Sequence, residues 1–166
     1  INVKGIDPSP VAHRAGKKVG IEIINGFYPS PLIKEKFDVL FHYDVLEHVE
    51  DPVNFLKEHI NNLSDEGAII FAVPDCSEHI RLGDASMILH EHLNYFDKES
   101  LELVLNKAGF KALSIKQAKY GGVLFCCAVL NHNSKMADDH NTNYSGYEKF
   151  FAFSCLVKSG LKKLAK

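Results

Sequence analysis

The chain has no excess of charge of either sign: 19 basic residues stand against 21 acidic ones, a formal charge of -2 over 166 residues. Without a basic field nothing draws a nucleic-acid backbone or an anionic membrane, and neither is expected as a partner. No C-x-x-C spacing links Cys76, Cys126, Cys127 and Cys155, and the adjacent pair would point to opposite faces of a strand. Reduced thiols in a cytoplasm are the simplest reading. No apolar run approaches the roughly 20 residues that span a bilayer, and the first residues are not a charged region followed by an apolar one. The expectation is a soluble cytoplasmic protein. There is no internal repeat, no low-complexity tract and no G-x-G-x-x-G turn.

What is present is a chain with 46% hydrophobic residues, enough for one sizeable core. Residues 1–7 alternate and run into Asp-Pro-Ser-Pro, a strand followed by a turn, and Pro10 suits the first position of a helix over 11–18. A second short strand is expected over 20–24, then a proline-containing loop over 26–31. Residues 38–42 read as a buried strand and 44–49 as a turn or short helix. Asp51-Pro52 starts a helix whose apolar face holds Val53, Phe55, Leu56, His59, Ile60 and Leu63. The nearly continuous apolar run 67–74 predicts a strand buried on both faces. A helix over 100–108 ends at Gly109, and strands at 111–118 and 122–130 form an antiparallel hairpin around Lys119-Tyr120-Gly121-Gly122. A polar stretch, 131–143, precedes an amphipathic segment, 144–166.

Between the 67–74 strand and the following helix, residues 75–97 have no clean period and hold the most reactive groups, which marks a functional loop. It contains His90-Glu91-His92-Leu93-Asn94-Tyr95-Phe96. Upstream stands Phe37-Asp38-Val39-Leu40-Phe41-His42-Tyr43-Asp44-Val45-Leu46-Glu47-His48-Val49-Glu50-Asp51-Pro52. Together these runs resemble the class I S-adenosylmethionine-dependent methyltransferases, and more narrowly the sugar C-methyltransferases, whose members carry a Glu-His-(Leu/Phe)-x-Tyr-Phe segment here.

The resemblance implies an α/β, Rossmann-like methyltransferase sheet, mostly parallel with a C-terminal antiparallel hairpin, over residues 1–143. It also implies that the first strand and its glycine-rich turn are missing, so that the chain begins one β-α unit late. Residues 144–166 resemble a helix leading toward a further C-terminal domain. The implied cofactor is S-adenosylmethionine, with Asp7 on the ribose hydroxyls, Phe27 against the adenine, and His42, Tyr43 and Asp44 along the methionine part. A glycine, Gly26, stands where an aspartate often reads the adenine amine.

For chemistry the resemblance points to His92 as the base that takes a proton from a carbon beside a carbonyl, a task suited to an imidazole. Glu91 would orient it or hold a sugar hydroxyl, and Tyr95 would support the enolate oxygen or pack the helix start. Leu89 occupies the place of a tyrosine found in many relatives. The expected substrate is a small molecule, a nucleotide-linked keto-sugar. Glu47 and His48, in a run widely shared by class I methyltransferases, read as structural. His90, Glu91 and His92 with Glu47 and His48 also offer metal ligands, but the strand pattern of a cupin barrel is absent and no metal is expected. The alternative from another class is a non-catalytic methyltransferase-like binding or interaction domain.

Overall fold

The computed structural model describes residues 1–132. The expected segment 144–166, most of 131–143 and Cys155 lie outside the described residues. The chain divides into two compact units, Ile1–Lys36 and a second beginning at Phe37, so the expected domain 1–143 spans both.

In the first unit, β1 (Lys4–Ile6) pairs in parallel with β2 (Glu22–Ile24), and α1 (Pro10–Val19) connects them. The helix begins where Ser9 accepts from the Val11 amide at 3.1 Å with Pro10 behind it, and it stops at Gly20, which takes the left-handed conformation at φ 74°. Gly16 has no room for a side chain, because a Cβ there would sit 2.4 Å from Ile23 Cγ1 and 2.7 Å from the Ile21 carbonyl oxygen.

The second unit carries a four-stranded sheet in the order β3 (Phe37–Tyr43), β4 (Leu63–Pro74), β6 (Val123–Leu130), β5 (Phe110–Gln117). β3 is parallel to β4, and β6 is antiparallel to both β4 and β5. Three strands therefore run one way and β6 against them, an open α/β sheet with parallel and antiparallel pairs and the expected terminal hairpin. α2 (Pro52–His59), α3 (Ser77–Leu82) and α4 (Lys98–Lys107) occupy the connections.

Alternation along the strands sorts the core. Ile69, Phe71 and Val73 of β4, Leu124, Cys126 and Ala128 of β6, and Phe110 of β5 are buried together with Phe55, Leu56, Leu101 and Leu105 from α2 and α4. The opposite face leaves Val39, Phe41, Tyr43, Ile70 and Phe125 exposed. Burial of β4 on both faces thus holds for Ala72 between Phe71 and Val73 but not for Ile70. Leu63 is a correction of the helix reading. α2 closes at His59 through reverse-turn bonds from Asn61 to Glu58 and Asn62 to His59, and Leu63 instead opens β4, where it pairs with Phe37. Within the expected loop 75–97, α3 and a 3₁₀ turn over Ala85–Met87 take up part of the chain. Cys76, Cys126 and Cys127 are free thiols. Among the described residues no helix is long and apolar enough to cross a membrane.

Candidate active site

In the first unit, Asp7 follows β1. Its Oδ1 accepts the Ser9 amide at 2.6 Å, and its backbone oxygen accepts from His13 Nε2 at 3.0 Å. The turn thus uses one carboxylate oxygen, and Oδ2 takes no hydrogen bond within the described residues. Phe27 follows β2 and is 77% exposed, so it is not a core residue.

In the second unit, the end of β3 splits its three candidate ligands. Successive residues on a strand face opposite ways, and His42 falls on the covered side. Its ring stacks on Phe71 at 4.9 Å, meets Phe55 edge-on at 5.6 Å and lies 5.4 Å from His59. Both ring nitrogens are shielded and unbonded. Burial, with His59 beside it, pushes its pKa down to about 3, so the ring is neutral at ordinary pH. His42 therefore differs from the sequence expectation: it sits in the packed layer and not at the open strand edge. Tyr43 is on the exposed side, 6.4 Å from the Phe125 ring. Asp44 then turns the chain with φ 51°, a left-handed conformation that aspartate tolerates better than most residues, while its amide donates to the Ala72 carbonyl at 3.2 Å.

That turn delivers a 3₁₀ turn, Leu46–His48, against the loop that holds the catalytic candidates. The Glu47 carbonyl accepts from the amides of Leu93 at 2.8 Å and Asn94 at 3.0 Å. Asn94 Nδ2 donates to the Val49 carbonyl at 2.7 Å, and His48 Nδ1 donates to the Glu91 carbonyl at 2.8 Å. The two ends of the loop meet where the Cys76 amide donates to the Phe96 carbonyl at 2.9 Å, and Asp97 caps α4 through a reciprocal pair of bonds with Ser100. Buried Phe96 anchors this end of the loop.

The result brings four side chains together. The His92 ring packs edge-on against His48 at 4.9 Å and lies 6.2 Å from Tyr95, whose hydroxyl donates to the Leu89 carbonyl at 3.2 Å. The fourth is Glu47, only 2% exposed, with neither carboxylate oxygen hydrogen-bonded and Oε1 3.7 Å from His48 Nε2. Burial chiefly, with the Asp44 charge adding to it, raises the Glu47 carboxyl above the usual range, against the opposing pull of its own nearby backbone amide and of His48 and His92. One ligand atom each from Glu47, His48 and His92 lies within 4.8 Å of the others, so these three can also hold a cation. Glu91 is drawn the other way. Its side chain is 68% exposed, 3.6 Å from the solvent-facing His90 imidazole.

Glu47, expected to be structural or at most one of several metal ligands, is instead the buried member of the cluster. Only the loop 91–95, 44 to 48 positions further on, brings other candidate groups to it.

Residues 1–115 match the family of methyltransferase domains. Among solved structures, the chain resembles an S-adenosylmethionine-dependent methyltransferase from Clostridium acetobutylicum at 14% identity and TM-score 0.61, covering 78% of this chain and 75% of that one. It resembles a Pyrococcus horikoshii OT3 protein at 20% identity and TM-score 0.61, over 78% and 72% of the two chains. A Thermotoga maritima S-adenosylmethionine-dependent methyltransferase, described as a possible histamine N-methyltransferase, aligns at 22% identity and TM-score 0.57, over 77% and 72%. No curated protein gives a significant match. The chain belongs to the methyltransferase domain family, and its fold is that of the S-adenosylmethionine-dependent methyltransferases.

Proposed function

We propose that the protein transfers a methyl group from S-adenosylmethionine to a carbon of a small molecule, a nucleotide-linked keto-sugar, after His92 removes a proton from that carbon. The observation that carries this reading is His92 seated against His48 above the buried Glu47 carboxylate, at the loop following β4. In α/β sheets, ligands gather at the carboxyl ends of the parallel strands. In the first unit, the open Oδ2 of Asp7 suits ribose hydroxyls; in the second, Tyr43 and Asp44 leave the end of β3 as candidate cofactor ligands, and His42, in the packed layer, is a poorer one.

S-adenosylmethionine brings a sulfonium that is already a good leaving group, so the chain's own task is positioning and proton removal. A carbon beside a carbonyl gives its proton to the free nitrogen of His92, Tyr95 stands beside the forming enolate, and the carbanion takes the methyl group. Glu91, being exposed, is suited to holding a sugar hydroxyl more than to orienting His92. Free thiols at Cys76, Cys126 and Cys127 support a reducing compartment, the cytoplasm.

Solvent-deuterium exchange tests the reading. With cofactor present, the wild-type protein should exchange the substrate α-proton, and His92→Asn should slow this by ~10²–10⁴-fold with cofactor binding intact. Exchange at the wild-type rate in His92→Asn places the base elsewhere. Absence of any cofactor binding by the wild-type chain makes it a non-catalytic domain of the same fold.

A further inference from the structure

Glu47 poses a problem that proton transfer by His92 does not resolve. A buried carboxylate without hydrogen-bond donors is costly unless it is neutralised by a proton or met by a cation. The groups closest to it are arranged for the second solution. Because the Glu91 carbonyl can only accept, His48 Nδ1 carries the hydrogen of that 2.8 Å bond, so in the neutral imidazole the lone pair is on Nε2, the nitrogen 3.7 Å from Glu47 Oε1. Metal-bound imidazoles are held in the same way, the second ring nitrogen donating to a carbonyl or carboxylate. His92 completes the set from the facing loop.

We propose that Glu47, His48 and His92 bind one divalent cation of the zinc class, and that this cation inhibits the enzyme by occupying the His92 lone pair. The ligand atoms lie within 4.8 Å of one another, whereas bonds of about 2.0–2.2 Å to a tetrahedral ion bring ligands to within about 3.5 Å. The exposed His48 side chain and the half-buried His92 can close that gap by rotation while Glu47 stays in place. Two imidazoles and one carboxylate suit Zn²⁺, Co²⁺ or Fe²⁺ in preference to Mg²⁺ or Ca²⁺, which take oxygen ligands. Three protein ligands leave at least one position for water. The sequence pairing of His90 with His92 is not the one used: His90 points to solvent, and His48 and Glu47 take its place. The inhibitory half of this inference rests on His92 being the base, since one lone pair cannot hold a metal and accept a proton at once.

The test begins with chelator-treated protein titrated with Zn²⁺ by calorimetry, and with Co²⁺ followed by its visible absorption. One equivalent should bind, and Glu47→Gln and His48→Gln should each weaken binding about tenfold or more, while His90→Gln changes it little. His48 is exposed and tolerates exchange, so it decides the matter should Glu47→Gln fail to fold. Failure to bind one equivalent, or binding that both variants leave unchanged, overturns the site. Zn²⁺ should also suppress α-proton exchange in step with occupancy, and chelator should restore it; exchange that requires Zn²⁺ overturns the inhibitory role. A chain that binds Zn²⁺ through these residues but exchanges no proton when metal-free keeps the cation site and refutes the methylation chemistry instead.

Discussion

His48 and Glu91, 43 residues apart in sequence, are joined by a 2.8 Å hydrogen bond from the imidazole Nδ1 to the backbone carbonyl. The bond fixes which His48 nitrogen is free, and it ties the loop bearing His92 to the turn after β3. With the two amide bonds to the Glu47 carbonyl and the Asn94 bond to Val49, it makes the short turn Leu46–His48 the anchor of the loop that carries His92.

If that anchoring holds the loop, Asn94→Ala removes a part-buried bond and leaves the Val49 carbonyl short of a donor. A loss of about 1–3 kcal/mol is expected for the loop. It should appear as faster hydrogen exchange at the Leu93 and Asn94 amides with little change at β4 amides. Equal acceleration throughout the sheet would mean that the bond supports the whole unit.

The His42 ring makes stability depend on pH. Its folded pKa, about 3, lies below the ordinary 6.5, so between those values the unfolded chain binds a proton that the folded chain refuses. Stability is full above about pH 6.5 and falls as the pH drops toward 3. His59, also lowered mainly by burial, acts in the same direction. Denaturant unfolding should show a loss of about 2 kcal/mol from His42 alone between pH 7 and 5, and His42→Phe should flatten that slope.

Asp7 is expected to matter for cofactor binding and little for folding. Losing a charged acceptor of ribose hydroxyls should weaken S-adenosylmethionine and S-adenosylhomocysteine binding by ~1–3 kcal/mol, read by calorimetry on Asp7→Ala. Unchanged affinity would leave Asp7 as the turn residue that its bond to Ser9 already makes it.

Gly67 lies where β4 passes its own first residues. A Cβ there would meet Leu63 Cδ1 at 2.8 Å, Leu63 Cγ at 2.9 Å and Ser64 Oγ at 2.9 Å, and Leu63 is fully buried. Gly67→Ala should cost about 1–3 kcal/mol in denaturant unfolding, by forcing a packed side chain to move. A neutral result would show that the irregular pairing between Phe37 and Val39 yields instead.

The strands and the helices α1, α2 and α4 were legible in the residues themselves, because hydrophobic period and turn chemistry are local; α3, inside a stretch with no clean period, was not. Asp51-Pro52 starts α2, Gly109 follows α4, and Gly121-Gly122 turns the hairpin. Leu63 was misread for the same reason: it continues the helical period, and only the strand partner Phe37 claims it for β4. His42 and Tyr43 could not be sorted by pattern, since alternation says that they face opposite ways but not which side α2 will cover. Glu47 could be named as a candidate ligand but not as a buried one. Its carboxylate becomes isolated, and part of a site, only when residues 91–95 fold back across it, and a contact between segments more than forty residues apart has no local period to announce it. The chain's sequence determined the succession of elements and the candidate groups on the loop; tertiary packing chose which of those groups meet, because burial and neighbouring charge are properties of the assembled fold and of no single segment.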